Sequence, residues 1–90
     1  MTETSIPMRL DVRHLRNHAH RAITQRLKYS APEAVRAIER DGDSVIIRVN
    51  SGGNALAIEP WLNSRGYCAE YGGSNPDGYG CAVRVRLRQP

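Results

Sequence analysis

Toward its end the chain switches between apolar and polar residues at every step, whereas in its first third the apolar residues recur at helical spacing. In residues 80–88, Val83, Val85 and Leu87 point one way and Arg84, Arg86 and Arg88 the other, the period of a half-buried strand. Residues 67–71 precede it, and the connection GGSNPDG between them is rich in residues that favour chain reversal, so the two segments are expected to pair. Residues 44–49 (SVIIRV) are short, β-branched and bounded by turn residues, which predicts another strand. Residues 8–13 (MRLDVR) alternate after Pro7 and are expected to open the fold as a strand.

The helical signals lie between these segments. Residues 17–28 (NHAHRAITQRLK) place Ala19, Ala22, Ile23 and Leu27 near one face, with Arg21, Gln25 and Lys28 mostly elsewhere, and Asn17 is suited to cap the start. Ser30-Ala31-Pro32-Glu33 has the form of a reciprocal cap, so a helix is expected to begin, or to restart after a kink, near Ala31. Val35, Ala37 and Ile38 would form its buried side, and Asp41-Gly42 its end. Residues 50–54 (NSGGN) then lead into a second helical segment running to Leu62 or Arg65, with Leu56, Ile58, Trp61 and Leu62 as its apolar set. Pro60 removes a helix hydrogen bond, so this segment is expected to bend or to begin properly near Ile58, and Gly66 ends it. The expected fold is α+β: a two-layer α/β sandwich of order βαβαββ, with a four-stranded mixed sheet and two main helices on one face. No internal repeat is visible.

Composition narrows the picture further. Ninety residues suit one domain with a thin core, and an enclosed substrate cavity is not expected. Residues 1–7 (MTETSIP) lack the features of a signal peptide, and no apolar run approaches bilayer length, so the protein is expected to be cytoplasmic, without a membrane partner. Two cysteines make no disulfide framework, and neither belongs to a C-x-x-C pair. The formal charge is +4, and arginine dominates the basic residues, with Lys28 as the one lysine. Its planar fork suits carboxylate or phosphate partners.

The order of several short motifs resembles the TusA/SirA-like sulfur-carrier family. Leu10-Asp11-Val12-Arg13, followed one residue later by Leu15, is similar to that family's L-D-x-R-G-L opening. Ala37-Ile38 ahead of Asp41-Gly42-Asp43 resembles the end of its first helix, and Ile58-x-x-Trp61 with Gly66-Tyr67 resembles its second helix and third strand. A basic closing strand completes the resemblance, which covers residues 10–88. A related family that opens L-D-V-R-x-L carries an Arg/His pair and an Ile on its first helix, as His20, Arg21 and Ile23 do here, and also lacks the cysteine. The resemblance implies a single TusA-like domain over residues 8–90, preceded by a flexible segment, residues 1–7. In the sulfur carriers a Cys-Pro-x-Pro thiolate at the first helix start accepts a persulfide, in the field of the helix dipole. Those positions read Asn17-His18-Ala19-His20 here, or Ser30-Ala31-Pro32-Glu33 under a shifted alignment, and neither set holds a thiol.

No catalytic residue is therefore assigned, with Cys68 and Cys81 as the candidates for a relocated thiol. Both fall on strands, away from a helix start, and read first as small apolar core residues. His14, His18 and His20 read as a solvated polar patch rather than a zinc site, so no metal is expected. Residues 50–54 lack both glycine-rich phosphate motifs and read as an ordinary helix start, so no cofactor is expected. The acidic residues show no pairing suited to acid/base chemistry.

The expected function is a non-catalytic protein-binding module, with a place in sulfur trafficking or its regulation. Its contacts would be Arg13, Arg16, Arg48, Arg84, Arg86 and Arg88, the opening helix and the glycine-rich hairpin. The alternatives are a sulfur carrier using Cys68 or Cys81, and a nucleic-acid binder whose Arg-rich sheet face stacks bases on Tyr67 or Tyr71.

Overall fold

Asp11 decides how the domain opens. In the computed structural model, which describes residues 10–88, its backbone is extended and its carboxylate accepts hydrogen bonds from the amides of Arg13 (2.9 Å) and His14 (3.3 Å). Those bonds satisfy donors that a helix start leaves orphaned, so α1 runs Val12–Leu27 where a strand over 8–13 was expected. The first two residues of that expected strand, and the segment 1–7, lie outside the described residues. α1 buries Leu15, Ala19, Ala22 and Ile23, spaced by three and four, and Asn17 is an exposed residue within it rather than its cap. Lys28 ends it in the left-handed region (φ 70°), and its amide bonds the Thr24 carbonyl at 2.7 Å.

The second departure follows α1. Pro32–Ala34 forms one 3-10 turn without a side-chain cap, and the chain then extends into β1 (Val35–Asp41) rather than a helix. β1 pairs antiparallel with β2 (Ser44–Val49) along most of its length, from Asp41 opposite Ser44 to Val35 opposite Val49. Asp41-Gly42 is thus the corner of a hairpin. Gly42, at φ 62°, supplies the positive φ that a two-residue connection demands. The Ser30–Glu33 signal is a local preference worth about 1 kcal/mol. A full strand pairing over β-branched residues outweighs it.

Then come α2 (Gly52–Asn63), β3 (Tyr67–Ser74) and β4 (Cys81–Leu87). The sheet order is β1-β2-β4-β3 with every pair antiparallel, so the element order is αββαββ, not βαβαββ, and the sheet is not mixed. The architecture is α+β, with two helices laid on one face of a four-stranded sheet. Each helix precedes a hairpin whose first strand is an edge and whose second is central, and the two central strands meet antiparallel with Ile47 opposite Val83. The helices also run antiparallel, with His18 beside Trp61 and Arg26 beside Asn54. The topology therefore has a pseudo-two-fold axis between β2 and β4, although the two halves share no visible sequence repeat.

α2 begins at Gly52, capped by the Ser51 hydroxyl on the Asn54 amide (3.2 Å), and continues through an exposed Pro60. Its buried residues are Asn54, Ala55, Ile58 and Leu62, while Leu56, expected in the apolar set, is 55% exposed. Leu15, Ile23, Ile47, Ile58, Leu62 and Val83 fill the space between the layers. α2 also covers the outer edge of β3. Asn63 bonds both the Ala69 amide (2.7 Å) and its carbonyl (3.0 Å), and Glu59 accepts from the Tyr71 amide (3.1 Å). That edge is closed to strand addition.

The glycine-rich hairpin is not a free loop. Asn75, 3% exposed, donates to the carbonyls of Val49 and Tyr79 and accepts from Arg48, while Arg36 of β1 bonds Asp77 and the Tyr79 carbonyl. The Arg36 guanidinium holds the Asp77 carboxyl well below its usual range, at about 2.

Candidate functional site

Strand register sorts the arginines. Facing away from the helices are Glu39 and Asp41 of β1, Ile46 and Arg48 of β2, Ala82, Arg84 and Arg86 of β4, and Cys68 and Glu70 of β3. Arg48 pairs with Glu39 (3.2 Å), Arg84 with Asp41 (3.2 Å) and Arg86 with Glu70 (3.5 Å). Each exposed pair contributes little to stability. Together they leave the sheet face with its charges matched, so it carries no basic patch. Arg88 does not belong to this face: it ties Asn63 (2.6 Å) to Tyr67 (3.1 Å) through their carbonyls. Tyr67 and Tyr71 share the register of Ala69 and face the helices, so they cannot stack bases on the outer sheet.

The helix layer is the opposite case. α1 contains no carboxylate from Val12 to Leu27, and Asp11 beside it is occupied by capping. Arg13, Arg16, Asn17, His20, Arg21, Thr24, Gln25 and Lys28 recur at spacings of three and four, so they form one stripe along its outer side. Among the described residues, Arg13, Arg16, Arg21 and Lys28 make no ion pair. Arg26 reaches across to Asn54 (2.9 Å), and Arg65 adds a further cation from the end of α2. Arg13 and Arg16, but not Arg48, Arg84, Arg86 and Arg88, thus belong to a surface with excess positive charge.

A groove between the helices completes this surface. Trp61 donates its indole N–H to Nδ1 of His18 (3.1 Å), and the Arg65 guanidinium lies 3.6 Å above the indole ring. Arg65 is held there by bonds to the Trp61 carbonyl and the Ser64 hydroxyl, both 3.0 Å. His20, Arg21, Thr24, Gln25, Trp61 and Arg65 line a depression of about 590 Å³. His14 packs edge-on to His18, and Tyr67 lies beneath.

Burial pushes the His18 pKa down from 6.5, and His14, Arg65 and Arg21 add to the effect. The direction fits the geometry, because Nδ1 must be unprotonated to accept from Trp61. Neutral His18 is favoured in the folded state, so its contribution is complete above pH 6.5 and is lost as pH falls through the lowered folded value. Acidification is therefore expected to shift Trp61 emission with a midpoint below 6.5 and to lower the stability of the domain. A fluorescence titration of the wild type against His18→Gln checks this, since the variant should show no such step.

Among the described residues, no group of three or more His, Cys, Asp or Glu comes together to hold a metal ion. Cys68 is exposed on the sheet face, away from any helix start. Its exposure departs from the core reading, whereas Cys81 on β4 is a buried core residue as expected, with its Sγ lying against the first turn of α2, 3.5 Å from where a Cβ on Gly52 would stand, and 3.1 Å from the Tyr71 hydroxyl. It is only 9% exposed, whereas an acceptor of sulfur has to be reached. That hydrogen bond, more than burial, raises the Tyr71 pKa. The NSGGN segment is engaged internally, with Ser51 capping and Asn54 bonded to Asn50 (2.8 Å) and Arg26.

No family model matches the chain, and no curated protein or solved structure is significantly similar to it. No helix among the described residues is long and apolar enough to cross a membrane. The site itself therefore defines the protein: a two-layer α+β domain with a charge-matched sheet and a basic helix layer. Sequence reasoning missed Arg21, Trp61 and Arg65 as one group. The signal within reach was the acid-free run over Val12–Leu27, once the helix is taken back to Asp11.

Proposed function

We propose that this domain is a non-catalytic binding module whose helix layer engages nucleic acid. The segregation of charge carries the reading: the cations on the outer face of the sheet are matched by carboxylates, while those of α1 are not. An acid-free stripe of Arg and Lys suits a phosphate backbone, and Asn17, Arg21 and Gln25 between them are the side-chain types that bond base edges. The stripe itself offers no aliphatic side chain, and the aromatic residue beside it, Trp61, is capped by the Arg65 guanidinium. The protein-docking role in sulfur trafficking rests on the motif resemblance, and the αββαββ order with no thiol heading α1 lends it nothing further. The sulfur carriers of that family hold a reachable thiol at a helix start, whereas Cys68 lies on a strand and Cys81 is buried.

Fluorescence anisotropy with mixed-sequence oligonucleotides tests the proposal. Replacing Arg16 and Arg21 together by Glu is expected to cut affinity more than about tenfold and to flatten the dependence of log K on log salt by about 1.4 on a single strand. Arg84→Gln with Arg86→Gln should bind within about threefold of the wild type. Equal losses in both variants would return the interface to the sheet, and undetectable binding by the wild type at low salt would remove the nucleic-acid reading altogether.

A further inference from the structure

We infer that the Trp61–Arg65 stack is the seat for one base of a single-stranded nucleic acid, an inference that rests on the nucleic-acid reading above. The stack is fixed on both members. Trp61 cannot swing out while its N–H is bonded to His18, and Arg65 is tied by the Trp61 carbonyl and the Ser64 hydroxyl. Arg65 lies 3.6 Å over the ring and is itself exposed, so the stack ends in a flat cationic surface turned to solvent. Unpaired bases are laid on aromatic rings and on guanidinium planes in this way. A duplex keeps its base faces covered by their neighbours and cannot present one.

The surroundings select the same occupant. The depression beside the stack, about 590 Å³ and wide open to solvent, has room for a base with its sugar laid against it. Arg21 can meet a phosphate there, while the Thr24 hydroxyl and the Gln25 amide offer donors and acceptors to a base edge. No carboxylate lines it. That argues against an organic cation, which an aromatic site would otherwise attract. The α1 stripe runs beside this seat for about 24 Å, the length of its 16 residues, and gives the flanking phosphates a basic track.

Trp61 is the single tryptophan of the chain, so its emission reports on the seat directly. Titration with a short oligouridylate is expected to quench it, and the oligouridylate should bind at least about tenfold tighter than a DNA duplex of equal length. Arg65→Gln and Trp61→Leu should each lose about tenfold for the single strand and little for the duplex, and Arg65→Gln, changed at the surface, keeps the test valid if Trp61→Leu unfolds. If the duplex binds as tightly and Trp61 emission does not change, the base seat is wrong while nucleic-acid binding stands. If neither nucleic acid binds and a polyglutamate peptide does, both readings fall.

Discussion

Gly80→Ala is expected to destabilise the domain by about 4 kcal/mol, against about 1 kcal/mol for Gly73→Ala. Both glycines have positive φ, 77° and 85°, so an L side chain is strained at either. The difference is space. A Cβ on Gly73 meets nothing within 4 Å, whereas one on Gly80 overlaps the Val49 carbonyl oxygen and comes within 2.9 Å of the Asn50 backbone. These are main-chain atoms at the junction of β2 and α2, and they cannot rotate aside as a flexible side chain would. Relief would pull β4 away from β2 and break the bond from the Asn75 side chain to the Val49 carbonyl. A domain of this size has roughly 5–13 kcal/mol of stability, so the variant loses a large part of it. Urea unfolding of the two variants checks the contrast, and equal midpoints would mean that β4 does not start packed against this junction.

Ile47→Ala should cost about 3–4 kcal/mol, and Ile46→Ala about half of that. The two are adjacent and nearly equally hidden, at 0% and 7% exposure, so neither composition nor burial separates them. Their sides of the sheet do. Ile47 sits between the layers, opposite Val83 and Ile38, where a truncated side chain leaves a cavity that the helices cannot close. Ile46 lies opposite Glu39 and Arg84 on the outer face and lines a shallow depression with Arg48 and Ala82. There water and the arginine stems can fill the space it leaves. Thermal or chemical denaturation of both variants gives the ratio, and a larger loss from Ile46→Ala would mean that the register is shifted by one residue.

Much of this fold is legible in the chain because its strands announce themselves locally. Alternation over Val83, Val85 and Leu87, and the β-branched run at residues 44–49 between turn residues, both favour a strand within a few positions of sequence. The two segments that deceive are those where a local signal has two readings. Asp11 closes an alternating pattern, yet its carboxylate can also cap a helix, and the second use satisfies two amides at once. Ser30-Ala31-Pro32-Glu33 has the form of a helix start, yet the residues after it satisfy their backbone by pairing along β2, a partner the local signal does not reveal.

The candidate site was less legible, for a similar reason. Arg48, Arg84 and Arg86 look like a basic stripe because alternation shows which side of a strand they occupy, but it does not show which strand lies alongside. The register supplies Glu39, Asp41 and Glu70 as their partners, and the stripe disappears. Trp61 and Arg65 meet locally, four residues apart, but His18 and Arg21 join them only because α1 and α2 run antiparallel, a relation set by packing between segments far apart in the chain.

By itself, then, the sequence determined the class of architecture, three of the four strands, the second helix and the absence of a thiol where α1 begins. Each of these follows from periodicity, turn chemistry or residue identity within a few positions. Only the tertiary structure decided the antiparallel order of the sheet, the fate of residues 35–41 and the surface on which the positive charge is left unmatched. Those outcomes depend on which side chains meet across the sheet and between the helices, and long-range pairing energies override local preferences of about 1 kcal/mol.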